Sequence, residues 1–277
     1  MADRFEIEPK DQMRLEGYDR FLFQIPESVI FDESLGDRRI TAFSYFMFYR
    51  NVVNEVNFSI DSMVRWAGKK PNKNKGKTNH KFLEAVNLLE DGGYVELLEE
   101  PSNSTCSSAR VNVDFIRSKC DEERYAVVYL DELLKILRYA GNDPNDRHMS
   151  NEIVLMVFAC LRSLIYQRRN ELRVDEVSIE DRRSRSPDAY DCYFCDLADS
   201  LGLSERQVSK AVDVLNDLGL IYSETLPRSR SGDKWNTNTT IFCNRYKREK
   251  GYLLESGEEY YLREVENKKR KMASYRK

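Results

Sequence analysis

Histidine is almost absent from this sequence. It is the side chain that serves most often as a general acid or base near neutral pH. The only two, His80 and His148, lie in polar stretches without a nucleophile pattern nearby. The chain also has no glycine-rich phosphate-binding loop, and its short acidic runs are typical of solvated faces. These absences predict that the protein is not an enzyme and needs no cofactor.

Cysteine is present but sparse, with six residues in 277. This number is too low for a disulfide scaffold in a chain of this length. Cys192 and Cys195 have the spacing of half a zinc site, but the second pair of ligands is missing. We therefore predict reduced cysteines, one of them in a helix core, and no metal site.

Long apolar runs are missing too. The longest, Ile153 to Leu161, is too short to cross a bilayer, and the first residues lack the basic-then-apolar pattern of a secretory signal. These features predict a cytoplasmic protein without a membrane partner. The net charge of −3 argues only weakly against a DNA partner, because the distribution of basic residues decides nucleic-acid binding.

The clearest pattern that is present lies around residue 200. Gly202 predicts the end of a short helix, because glycine adopts a left-handed backbone without steric cost. Ser204 and Gln207 predict a capping box at the start of the next helix, which Gly219 ends. The flanking segments complete a winged helix-turn-helix with a helix from Ser150 to about Arg169 and strands at Leu220–Thr225 and Thr239–Cys243.

The same order of elements occurs earlier in the chain. Residues His80 to Val95 align without gaps on Arg206 to Ile221, and the identities lie on the apolar face and the stop glycine: Ala85, Val86, Leu89, Asp91 and Gly93 against Ala211, Val212, Leu215, Asp217 and Gly219. Shared architecture explains such a match as well as shared ancestry does. Either explanation predicts a second unit of the same kind.

The remaining pattern completes this first unit. It predicts a helix from Ile40 to Val53, a Ser59-capped helix Ile60–Ala67 ended by Gly68, and wing strands at Tyr94–Leu98 and Arg110–Phe115. Between those strands lies a serine-rich loop, Pro101 to Ser108, without a basic residue. In the linker between the two units, the sequence pattern predicts a strand at Tyr125–Leu130, a helix at Asp131–Tyr139 and a turn at Gly141–Asn145.

The predicted fold class is mainly α with small β-wings (α+β), with two tandem winged helix-turn-helix domains plus a charged C-terminal helix. Ser256, with Glu259 three residues on, is a possible cap for that last helix. The expected domains are an N-terminal arm (1–20), the first winged-helix domain (21–116), a linker strand and helix (117–149), the second winged-helix domain (150–246), and the C-terminal helix with a basic tail (247–277).

A lysine loop, residues 69–77, is the first candidate DNA contact. It contains no acidic residue and leads into the helix that would enter the major groove. Mobile lysines suit phosphate contact, although a solvated loop that only aids solubility has the same composition. The candidate side chains are Lys69, Lys70, Lys73, Lys75 and Lys77, with Lys81 in the following helix.

The second unit offers two further candidates. Its recognition helix carries residue types that read base edges in other DNA-binding proteins. Glu205 and Asp213, however, would repel phosphates. Gln207 cannot both close a capping box and read a base with the same amide. Arginine in a wing reaches phosphates or a minor groove, and the basic tail is either a DNA contact or a solvated end. The candidate side chains are Arg206, Gln207, Ser209, Lys210, Arg228, Arg230 and Lys234.

The segment Phe21–Asp32, with Ile25-Pro26 inside it, precedes an aromatic helix containing the stretch Phe43 to Tyr49. This opening resembles replication initiators of plasmids and phages from Gram-positive bacteria, and DnaD-like primosome proteins share it. The resemblance covers residues 20–115 in pattern and the whole chain in architecture, and the lysine insertion after Gly68 departs from it. It implies a core, and partly a dimer surface, in the aromatic segment.

The resemblance also implies DNA replication as the process, with both units on double-stranded DNA at origin repeats. Replisome proteins (a helicase or primase loader) and a second copy of the chain are the further partners it suggests. Two other functions fit the same patterns. One is a transcriptional regulator of the same fold, and the other is an adaptor that uses winged helices for protein contacts.

Overall fold

A computed structural model describes residues 21–140, 149–165, 188–226, 230–231, 234–235, 239–249 and 252–274. It is an α+β fold in which helices predominate and the sheets are small and antiparallel. This agrees with the expected class of a mainly helical chain with small β elements. The turn predicted at Gly141–Asn145 lies outside the described residues.

The first unit begins with a strand and a short helix. The elements to the end of the unit's sheet are β1 (Leu22–Pro26), α1 (Glu27–Phe31), a 3₁₀ turn (Glu33–Leu35), α2 (Arg39–Tyr49), β2 (Glu55–Phe58), α3 (Ile60–Trp66), α4 (Thr78–Asp91), β3 (Val95–Leu97) and β4 (Ser107–Val111). Ser59 caps α3 through a capping box, as predicted, and Gly68 has a positive φ of 72° after its end. The aromatic side chains of α2 lie mostly in the core.

Two boundaries in this unit differ from the sequence prediction. Helix α2 ends at Tyr49 and not at Val53, because the next residues form a tight turn into β2, a strand that the pattern did not predict. The strand expected at Arg110–Phe115 ends at Val111. Asn112 then caps α5 (Val113–Glu122) by accepting a hydrogen bond from the Phe115 amide, so the chain turns into a helix.

The linker contributes a strand and a helix, close to where they were expected. They are β5 (Tyr125–Tyr129) and α6 (Leu130–Leu137). Strand β5 pairs with β1 in an antiparallel sheet, with Ile25 opposite Ala126. The linker strand is therefore joined to the opening segment of the first unit.

The second unit repeats the layout of the first. Its described elements are α7 (Asn151–Ile165), β6 (Ala189–Cys192), α8 (Phe194–Leu201), α9 (Glu205–Asp217), β7 (Ile221–Thr225), β8 (Arg230–Ser231), β9 (Lys234–Trp235) and β10 (Thr240–Asn244). The predicted extension of α7 to Arg169 lies outside the described residues. The sheet order is β6-β10-β7 here and β2-β4-β3 in the first unit, with all pairs antiparallel.

The two aligned helices end in the same hydrogen-bond pattern. Gly93 has a φ of 77° and Gly219 a φ of 66°, the left-handed region that favours glycine. After them, the Tyr94 amide donates to the Leu89 carbonyl at 2.9 Å, and the aligned Leu220 amide donates to Leu215 at 3.0 Å. The internal repeat is thus a repeat of local structure.

The chain after the second sheet forms a hairpin and a long helix. These are β11 (Tyr246–Glu249), β12 (Tyr252–Ser256) and α10 (Glu258–Ser274). The cap expected at Ser256 is wrong, because Ser256 ends β12 and Gly257, with a φ of 98°, precedes the helix. Helix α10 packs on the second unit's sheet through the buried Val265.

One hydrophobic core spans both units. A single cluster of buried side chains runs from Phe23 in β1 to Phe242 in β10, and α7 contacts elements of both units. A buried ion pair between Arg162 of α7 and Glu132 of α6 lies at the junction, and the Tyr246 hydroxyl donates to the same carboxylate at 2.7 Å. None of the helices within the described ranges has the length and hydropathy needed to cross a membrane.

Candidate nucleic-acid interface

The lysine loop, residues 69–77, connects α3 to the start of α4. Lys70, Lys75 and Lys77 are exposed, and none of them forms an ion pair within the described part of the chain. Lys77 is the residue before the first turn of α4. Because amide groups at a helix start carry partial positive charge, these lysines extend an electropositive region. Their ammonium groups remain available to an anionic partner.

Lys69 has different surroundings from the other lysines of this loop. Its ammonium lies 3.2 Å from Oε1 of Glu152, a carboxylate in the first turn of α7 that is 1% exposed. Arg38 binds the other oxygen of the same carboxylate at 2.7 Å. A buried carboxylate needs such partners, because leaving it unpaired is costly. Lys69 thus links the loop to the second unit, in contrast to the mobile contact expected from the sequence.

Asn79 holds the lysine loop in place from the first turn of α4. Its side chain is buried, and its Oδ1 accepts a hydrogen bond of 2.7 Å from the Asn72 amide. Its Nδ2 donates to Asp61 at 2.6 Å and to Asn103 at 2.9 Å. One amide side chain therefore joins the lysine loop, the start of α3 and the serine-rich loop.

The serine-rich loop folds back onto the start of α3. The amide of Ile60 donates to the Ser102 carbonyl at 3.0 Å, and that of Asp61 donates to Asn103 at 2.9 Å, so the loop satisfies donors that a helix start leaves free. Lys73 donates to the Ser104 hydroxyl at 2.6 Å. Lys73 is thus tied to this loop, and the two loops form one surface.

Lys81 is the last candidate of the first unit. Its ammonium is 3.6 Å from Asp37, and both side chains are largely exposed. Exposed pairs of this kind contribute little and are readily exchanged. Lys81 therefore keeps its charge at the surface, one turn into α4.

The second unit's helix α9 begins with the predicted capping box. The Ser204 hydroxyl accepts from the Gln207 amide at 3.3 Å, and Gln207 Oε1 accepts from the Ser204 amide at 2.9 Å. Gln207 therefore has its carbonyl oxygen occupied, and only its NH₂ group is left for a base edge. Arg206 and Ser209 are exposed on this helix, and Lys210 is partly exposed.

Acidic side chains lie at the turn before α9 and along the helix. Gly202 has a φ of 62°, and a side chain there would collide with the carboxylate of Glu33 from the first unit. Glu205 and Asp213 are exposed on α9 itself. This surface is less electropositive than that of the lysine loop.

The basic loop of the second unit is described only in part. Arg228 lies outside the described residues. Arg230 and Lys234 lie in the two-residue strands β8 and β9, which pair as a hairpin of their own. The backbone thus forms a short β hairpin at the position where the sequence predicted a basic loop.

The C-terminal helix uses its lysines within the fold. Lys268 binds Asp191 at 2.5 Å, and Lys269 binds Glu224 at 2.7 Å, both on the second unit's sheet. Tyr261 stacks on Tyr222 with ring centroids 4.5 Å apart. This part of the basic tail therefore attaches α10 to the sheet. Residues 275–277 lie outside the described range.

The cysteines show no arrangement for a metal within the described residues, where no group of three or more candidate ligands occurs. All six are free, and Cys160 lies in the core of α7. Burial raises the pKa of Cys120 and of Cys160 to about 12. Burial likewise raises the pKa of Cys192.

Asn79 is the site residue that sequence reasoning missed, and a signal for it was present. It continues the spacing of Phe82, Val86 and Leu89, so a polar amide occupies the buried face of α4. A polar side chain at such a position needs hydrogen-bond partners. Those partners are distant in sequence and could not be named from the pattern.

A comparison of the sequence with models of known protein families and with characterised proteins finds no match.

Proposed function

We propose that this chain is a double-stranded DNA-binding protein built from two tandem winged helix-turn-helix units. Support comes from the order of the described elements, which is helix, strand, helix, helix, strand, strand in each unit once the short β8–β9 hairpin of the second unit is set aside. The identical sheet orders and the matching helix ends add to it. In this arrangement α4 and α9 are the helices that enter major grooves.

The observation that carries the proposal is the group of exposed lysines at the start of α4. Lys70, Lys75 and Lys77 have no ion pair within the described residues, although the chain as a whole is slightly acidic. Exposed lysines on an ordered support suit phosphate contact, because their ammonium groups are mobile point charges. The Asn79 hydrogen bonds supply that support.

The two units contribute differently to this function. The first unit contacts phosphates through Lys70, Lys75 and Lys77 of the lysine loop and through Lys81. The second unit reads base edges through Arg206 and Ser209 on α9, and Arg230 and Lys234 of the β8–β9 hairpin contact phosphates. Lys69, Lys73 and Gln207 position these surfaces.

Within DNA binding, we favour a replication initiator of a plasmid or phage that recognises origin repeats. The opening segment and the aromatic α2 support this choice through their resemblance to such initiators. A transcriptional regulator has the same DNA-binding chemistry. Footprinting on the DNA of the host element distinguishes them, because an initiator protects repeats at an origin and a regulator protects a promoter.

An adaptor role is the second candidate, and the surface of the second unit favours it. Gln207 is occupied in the capping box, and Glu33, Glu205 and Asp213 place carboxylates around α9. A partner protein with a basic surface would fit there. In that case the second unit binds protein while the first binds DNA.

Fluorescence-anisotropy titration of a short labelled duplex tests the proposal. We expect binding that weakens between about 50 and 200 mM salt, with a log–log slope near 0.9 per phosphate neutralised. A single-stranded oligonucleotide and an unrelated acidic protein are the controls. The proposal is contradicted if, at the lowest salt, this chain binds the duplex no more tightly than the acidic control protein does.

A further inference from the structure

Two valines stand in solvent on the turn Arg50–Asn54, between α2 and β2. Val52 is 100% exposed and Val53 is 59% exposed, the highest values among the large apolar side chains that the structure describes. Water-exposed valines forgo the stabilisation that burial provides. The two adjacent side chains form a small apolar patch that a partner could cover.

The turn is fixed by its own hydrogen bonds. Asn51 Oδ1 accepts from the amides of Val53 and Glu55, both at 2.9 Å. Asn54 has a φ of 63°, a left-handed conformation that few residues other than glycine and asparagine adopt. A turn held in one conformation loses little entropy when a partner binds to it. The valines are therefore presented in a defined position.

Two arginines carry positive charge near the turn, while the adjoining Glu55 is paired with Arg110 at 2.9 Å. Arg50 is half-buried beside the valines, and burial together with the nearby charge of Arg117 lowers the pKa of Arg50. Arg117 is 70% exposed, and its partner Asp114, at 3.5 Å, is 96% exposed. Such an exposed pair yields readily to another carboxylate.

The turn lies away from the lysine loop. The Asn54 carbonyl accepts from the Val111 amide at 2.8 Å, at one end of the first unit's sheet. Phe58 pairs with Ser107 at the other end, where the serine-rich loop meets the lysine loop. Strand β2 separates the two ends by about 13 Å. A partner can therefore occupy the turn without covering the lysines.

We propose that the turn Arg50–Asn54, together with Arg117, is a docking surface for an acidic amphipathic segment of another protein. The valines contact the apolar face of that segment, and the two arginines contact its carboxylates. A second copy of this chain fits less well, because twofold pairing would bring the arginines of both copies together. This proposal is independent of the DNA-binding function.

Titration of the full chain with two labelled synthetic helices tests the docking surface. One helix has leucine on one face and glutamate on the other, and the second has lysine in place of glutamate. We expect the glutamate helix to bind at least about tenfold more tightly than the lysine helix. The V52S/V53S variant should bind the glutamate helix at least about tenfold more weakly than the parent chain does. The matched control L262S, an exposed apolar residue on α10, changes binding by less than about twofold.

Charge reversal at Arg117 gives a second readout. R117E should lower the affinity for the glutamate helix and raise the affinity for the lysine helix. Equal binding by V52S/V53S and the parent chain, or equal binding of both helices, overturns the proposal. So does loss of duplex affinity in V52S/V53S, which would assign the turn to DNA. A dimer in sedimentation that V52S/V53S dissociates would assign the turn to a second copy and overturn it as well.

Discussion

Lys69 and Lys75 belong to the same loop and have opposite surroundings. The first is bound to the buried Glu152, and the second is exposed without an ion pair in the described part of the chain. A lysine bound to a buried carboxylate stabilises the fold, and an exposed one is free for phosphate. At the scale of single residues, the charge of the loop is thus divided between structure and binding.

Asn79 is the residue whose loss should disturb this loop most. We expect N79A to lower the free energy of unfolding by about 1–3 kcal/mol, because three hydrogen-bond partners lose their amide at a buried site. N87A, an exposed position on the same helix, is the control and should change it by less than about 0.5 kcal/mol. Urea denaturation measures both. Equal effects would show that the Asn79 hydrogen bonds contribute nothing.

The buried cysteines predict a dependence on pH. Burial raises the pKa of Cys120 and Cys160 to about 12, so the unfolded chain, with thiol pKa values of about 8.5, loses these protons first. The free energy of unfolding should therefore fall as pH rises from about 8.5 towards 12. A C120A/C160A variant should show a flatter decline in urea titrations over that range. An unchanged decline would assign it to other groups.

At the scale of elements, caps and stop glycines were predictable because their causes are local. Ser59, Ser204, Gly202 and Gly219 act on residues within one turn of themselves, and the structure confirms each of them. The four-residue strand β2 was missed because its partner strand β4 lies about fifty residues away in the chain. An even larger separation in sequence hides Glu152, the carboxylate that binds Lys69.

The capping box of α9 has a measurable contribution. We expect S204A to lower the free energy of unfolding by about 1 kcal/mol, because the Gln207 amide loses its acceptor at the helix start. S209A, an exposed position on the same helix, should have an effect near zero. Thermal denaturation followed by circular dichroism compares the two. If the two variants unfold alike, the box does not stabilise α9.

At the scale of the whole molecule, the two units share a core that composition alone did not reveal. The pattern around residues 117–149 predicted a linker strand and helix, and in the structure β5 pairs with β1 and α6 forms a buried ion pair with α7. These contacts join segments that are far apart in sequence. A structure held in this way should behave as one cooperative unit.

Coincident unfolding of both units is the expected result. Trp66 reports on the first unit in a W235F background, and a fluorine label on Phe242 reports on the second. We expect one urea midpoint from both probes, because a shared core couples the two equilibria. R162M, which removes the charged partner of the buried Glu132, should lower that midpoint for both probes together. Two separate midpoints in the parent chain would contradict a shared core.

The salt dependence of duplex binding in K70Q/K75Q/K77Q tests the DNA-binding account most directly. R117Q/K119Q on α5, which removes positive charge outside the loop, is the control. We predict that the lysine variant lowers the log–log slope by about 2–3 units, near 0.9 for each lost phosphate contact, while the control keeps the parent slope. An unchanged slope in the lysine variant, or an equal loss in the control, would contradict DNA binding through the lysine loop.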